Sequence, residues 1–137
     1  MSTTNFCYTP LPPDGRTIRR LSILPSADFS STIRITPQEI SLDNDQLPHA
    51  LSYVWGDGTD TVAIEPRADS HSACFQVLHV TRNCEQALRH VRHATETRYL
   101  WVDAICIDQQ NLAEKGQQVG LMAEIYRKAR GVIAWLG

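Results

Sequence analysis

The chain has 137 residues, a mass of 15.4 kDa and a net charge of -2, enough for one domain with a real core. Its 42% apolar content excludes a disordered chain, and no stretch reaches the roughly 20 consecutive apolar residues of a membrane helix. The near-neutral charge gives no support to nucleic-acid recognition as the main role, despite the small basic cluster Arg16, Arg19 and Arg20.

Met1 to Gly15 carries three prolines and many small polar groups, so 1–16 reads as a flexible lead-in to a domain spanning 17–137. It lacks the basic start and apolar run of a secretory signal. Thr17 to Leu24 reads as a first strand, Pro25 to Ser31 as a loop, and Thr32 to Thr36 as a second strand. Asp43, Asn44 and Asp45 mark a turn. Ala50 to Trp55 is a stronger strand, with Leu51, Tyr53 and Trp55 on one side and Ser52 and Val54 on the other. Gly56, Asp57 and Gly58 end it with turn chemistry. Thr61 to Glu65 and Cys74 to Val80 are expected to pair as a small antiparallel ribbon around the polar excursion Pro66 to Ser72.

Asn83, with Gln86 three residues on, predicts the cap of a helix whose inward stripe is Cys84, Ala87, Leu88 and Val91. Tyr99 to Gln109, YLWVDAICIDQ, is the densest apolar run. Leu100, Trp101 and Val102 suit a central strand covered on both faces. Asn111 and Glu114 predict the start of a second helix, with Val119, Met122, Ile125, Tyr126 and Ala129 buried and Glu124 paired to Lys128 outside. Gly116 is a weak point that close packing would explain. Gly131 is expected to close this helix, and Val132 to Leu136 is the next strand. The last two strands and the helix between them make a parallel unit, and open α/β sheets bind ligands at the carboxyl ends of such strands. Because the chain stops on an apparently central strand, it is expected to be an incomplete fragment.

Gly56, Asp57, Asp103 and Asp108 fall near that edge. Asp103, Asp108 and Glu114 are suited to binding a cation, bonding a ribose or acid–base work; capping and turn formation is the plainer role for each. Trp55-Gly56-Asp57-Gly58 lacks the spacing of a phosphate loop, while Trp55 and Trp101 can form an aromatic wall or pack in the core. Cys106, with His49 or His79 as base, would be a nucleophile only if accessible, and its Ile-Cys-Ile setting favours a buried inert thiol. His90 and His93 have no third metal ligand at local spacing, so no metal is expected. Cys7, Cys74, Cys84 and Cys106 do not make a disulfide framework, which makes a reducing, cytoplasmic compartment the default.

Three stretches occur in order: ALSYVWGD (Ala50 to Asp57), TRNCEQALRHVR (Thr81 to Arg92) and the long block from Tyr99 to Gly137. Together they resemble the blocks of the fungal heterokaryon incompatibility (HET) domain. Asp108 stands where asparagine is common in that family, and Pro66 to Ser72 is a longer insertion than usual. The resemblance implies an effector of non-self recognition that promotes regulated cell death, through self-association or with another incompatibility protein. It also implies distant similarity to TIR domains, hence a flavodoxin-like, mostly parallel sheet with flanking helices. In that mapping Leu51 to Trp55, Leu100 to Asp103 and Val132 to Leu136 are the first three core strands. Some TIR domains cleave nicotinamide adenine dinucleotide (NAD) with a glutamate, which here would lie beyond residue 137. Three alternatives therefore stand: an effector without cofactor, an NAD-cleaving hydrolase completed by residues beyond Gly137, and an inactive truncated copy. The motif residues are Trp55, Gly56, Asp57, Trp101, Asp103, Cys106, Asp108, Gln109 and Glu114.

Overall fold

The computed structural model describes residues 4–5, 8, 10–44, 46–54, 59–66 and 76–135. In chain order they form β1 (Thr4–Asn5), β2 (Thr17–Ile23), β3 (Arg34–Ser41), β4 (His49–Tyr53), β5 (Thr61–Pro66) and β6 (Gln76–Thr81). Then follow α1 (Arg82–Val91), β7 (Arg98–Trp101), α2 (Asp103–Cys106), α3 (Leu112–Lys128) and β8 (Val132–Trp135). The strands make one sheet in the order β1-β6-β5-β3-β2-β7-β4-β8.

The fold is α/β, but the sheet is mixed where a mostly parallel one was expected. Parallel pairing joins β7, β4 and β8, and recurs over two residue pairs each at β3/β5 and β1/β6. β2 runs antiparallel to both β3 and β7. The reason is local: β2 and β3 form a hairpin matched over all of β2, and antiparallel strands are the ones a short link can join. The expected ribbon is present as β5 against β6, and the β3/β5 pairing makes it part of the larger sheet.

β7 is central, as its apolar run demands, but it ends at Trp101. Val102 is the N-cap of α2, and its carbonyl accepts from Ile105 N (3.0 Å) and Cys106 N (2.7 Å). A four-residue apolar run fits a buried helical turn as well as a strand, and periodicity alone does not separate them. Ile18, Leu21, Ile23, Leu51, Leu88, Leu100, Trp101 and Ile105 are fully buried and form the middle of the core.

Thr81, not Asn83, caps α1: its hydroxyl accepts from Cys84 N at 3.2 Å. Asn83 instead donates to the Val54 carbonyl at 3.1 Å, tying α1 to the end of β4. Thr81→Ala should lower stability by about 1 kcal/mol, read as a shift in the urea midpoint at unchanged m-value. Cys84, Ala87 and Leu88 face the core as predicted.

Asn111 caps α3 through Glu114 N at 3.1 Å, and Lys128 pairs with Glu124 at 3.0 Å. The buried stripe differs from expectation. Glu114, Gln118 and Ile125 are buried, whereas Val119 is 51% exposed. Gly116 faces open space, not a packed neighbour. The helix ends at Lys128, capped by Ala129, before Gly131 is reached. At Gly131 a Cβ would stand 3.1 Å from the His49 ring, so this glycine serves a close approach between β4 and β8. The lead-in is not uniformly loose, since β1 pairs with β6 and Tyr8 packs over Arg19. No helix among the described residues is long and apolar enough to cross a membrane.

Candidate functional site

The three parallel strands lie in the spatial order β7-β4-β8, so the first in sequence sits between the second and third. That is a point where strand order reverses, and the crevice outside the carboxyl ends of such strands is where α/β sheets hold ligands. Tyr53 ends β4, Asp103 follows β7 after one residue, and Trp135 ends β8.

Asp103 is half-buried and makes no ion pair among the described residues. Its carboxylate accepts the Ala104 N–H at 2.7 Å. Burial raises its pKa, and the backbone bonds only partly oppose that. Two phenols feel its charge. Tyr53 is pushed up by burial, by the Cys84 thiol and by Asp103; Tyr126 by burial and then by Asp103. The Tyr53 hydroxyl is buried beside Cys84 and has no oxygen or nitrogen partner among the described residues. Trp101 is wholly buried and meets Tyr126 edge-on at 5.6 Å, so it backs the site from the core. The cluster is therefore a carboxylate without an ion pair among the described residues, two phenols that its charge reaches, and Trp101 packed against one of them.

Glu114 has a different task. It forms a two-pronged pair with Arg19, Oε2 to Nη1 and Oε1 to Nη2, both 2.7 Å, and both side chains are buried. Its Oε2 also accepts the Asp108 N–H at 2.7 Å. Arg19 Nη1 donates to the Cys106 carbonyl at 3.0 Å, and the Tyr8 ring lies 4.7 Å from the guanidinium. Tyr8 donates its hydroxyl proton to the Ile105 carbonyl at 2.6 Å. Gln109 Nε2 donates to the Asp103 carbonyl at 2.9 Å, and Asp108 accepts from Gln110 N at 3.1 Å in a local turn. Glu114, Asp108 and Gln109 thus fasten the loop that follows α2 and so place Asp103.

Cys106 is fully buried, its sulfur accepts the Val102 N–H at 3.3 Å, and burial pushes its thiol up to about 12. The burial agrees with what its Ile-Cys-Ile setting implied. Trp55, Gly56 and Asp57 lie outside the described residues, so the aromatic wall with Trp55 is not described; the preceding Tyr53 and Val54 reach the carboxyl edge. Among the described residues no three metal-ligating side chains come together.

Arg19, Tyr53 and Tyr126 were absent from the predicted site. A charged residue inside an apolar strand, as in TIRRLSIL, was the available signal for Arg19. The tyrosines carried only their place in apolar stripes, which core packing explains equally well.

A family model described as "Heterokaryon incompatibility protein (HET)" matches residues 49–137, from the first residue of β4 onward. Among curated proteins, the chain is 42% identical over 94 residues to "Heterokaryon incompatibility protein 6, OR allele" of Neurospora crassa. That overlap takes in 64% of this chain and 14% of the relative's length. No solved structure matches the chain. With the matched span containing β4, α1, β7, α3 and β8, and with them Asp103 and its two tyrosines, the chain belongs to the heterokaryon incompatibility (HET) family.

Proposed function

We propose that the chain is an effector portion of a fungal incompatibility protein, acting in the cytoplasm to promote regulated cell death through self-association. Family membership supports the non-self recognition role. The observation that supports the association is α3, whose Leu112 and Val119, two turns apart on one face, are 79% and 51% exposed. Apolar side chains left uncovered along one helix face suit contact with another protein surface. The second-first-third order of β7, β4 and β8 is also that of a flavodoxin-like sheet, the arrangement expected of a TIR relative.

A specific observation favours a second reading. Asp103, without an ion pair among the described residues, raised in pKa by burial and felt by Tyr53 and Tyr126, is the kind of group found where chemistry occurs. In that reading the site is one wall of an NAD-cleaving pocket completed by residues outside this chain.

Inducible expression of the whole protein in fungal cells tests both. Cross-linked oligomers before loss of viability, with NAD preserved until death begins, are expected for the effector. A fall in NAD that precedes death, together with turnover by the purified protein, would establish the enzyme instead.

A further inference from the structure

The opposite edge of the sheet holds a cleft. Its volume is about 430 Å3, and it is lined by Arg20, Arg98, Arg130, His49 and His93 together with Glu96 and a short apolar wall. His49 opens β4, Arg98 opens β7, and Arg130 stands just before β8. The cleft therefore gathers positive charge at the amino-terminal ends of the same three parallel strands whose carboxyl ends carry Asp103.

None of the three arginines has a carboxylate partner among the described residues, although Arg16, Arg19, Arg82 and Arg89 each do. Arg20 bonds Gln38 and stacks 4.3 Å from the Tyr99 ring. The Arg98 Nε is buried without a hydrogen-bond partner among the described residues. Arg130 is exposed at the cleft mouth. Burial, and then the charges of Arg98 and Arg130, hold His49 below the usual imidazole pKa. Arg20, Arg98 and Arg130 against Glu96 give the lining two net positive charges before either histidine is counted.

We infer that this cleft binds a small phosphate-bearing ligand carrying two or more negative charges. Guanidinium groups present paired donors that match phosphate oxygens, and several such groups around one cavity suit a dianion better than a single carboxylate. The volume exceeds that of one phosphate, and Leu47, Pro48 and Tyr99 offer apolar contact to an organic remainder. The inference does not depend on the effector reading, because it uses none of the residues around Asp103.

Calorimetric titration of the purified full chain with inorganic pyrophosphate and with ADP tests it. Saturable binding of pyrophosphate is expected, weakened about tenfold or more in Arg130→Gln and unchanged in the remote Lys115→Gln. Arg130 is exposed, so its variant should fold normally, which a thermal melt checks; Arg98→Gln gives a second, independent loss. Tighter binding of ADP than of pyrophosphate would show that a nucleoside is held too, whereas equal binding would assign the diphosphate alone. Absence of saturable binding to wild type, equal affinity in Arg130→Gln and Lys115→Gln, or binding only of an acidic peptide would overturn the inference.

Discussion

Replacing Glu114 with alanine is expected to lower folding stability by about 3–5 kcal/mol, a large part of what a small domain has. The substitution takes both carboxylate bonds from the buried Arg19 guanidinium. It also frees the Asp108 N–H from its acceptor. Urea unfolding followed by tryptophan fluorescence measures the loss. The double variant Arg19→Met/Glu114→Leu should recover most of it, because removing both charges leaves none unpaired. A double variant as unstable as Glu114→Ala would show that volume, not charge, holds this corner. The pH dependence follows from the same pair. Burial acts to raise the Glu114 pKa, but the bonds from Arg19 and the Asp108 N–H outweigh it and hold the group below its ordinary value. A depressed folded pKa means this contribution is complete above the unfolded value and is lost as pH falls through the folded one.

Asp103→Asn is expected to act in the opposite sense on stability and, in the proposed effector role, to abolish cell killing by the whole protein. The folded pKa of Asp103 is raised, so its charged form is the less stable one in the fold. Its destabilisation is absent below the unfolded pKa and grows as pH rises through the folded value. Asparagine keeps the shape and the acceptor for Ala104 N and removes the charge. The variant should therefore be at least as stable as wild type at neutral pH in the same urea assay. A viability assay on cells expressing it should show no killing. Killing at the wild-type level would assign Asp103 a purely local part in the turn. Two carboxylates on one stretch of chain thus have pKa values driven apart: Glu114 serves the fold, and Asp103 stands against it.

The central run, the β5/β6 ribbon and the cap at Asn111 were legible because each rests on a local pattern: apolar density, paired short strands around an excursion, and an Asn three residues before a Glu. The polarity of β2 was not, since strand direction depends on which partner it finds, and β7 lies some 80 residues away. The end of β7 was misplaced because Ile105 and Cys106 are apolar in either conformation. Val119 was assigned inward on composition, whereas Gln118 is buried because its amide donates to the Thr17 carbonyl at 3.1 Å. Asp103 was found from its position after a buried strand; the division of labour between it and Glu114 required knowing that Arg19 reaches one and not the other.

The span that identifies the family begins at His49, but Arg19 and all of β2 lie before it. An excised piece cut at that boundary would leave β7 with an unpaired edge and Glu114 without its cation. A unit that keeps these contacts therefore starts at or before Thr17, and a library of deletions should show soluble expression falling once β2 is trimmed away.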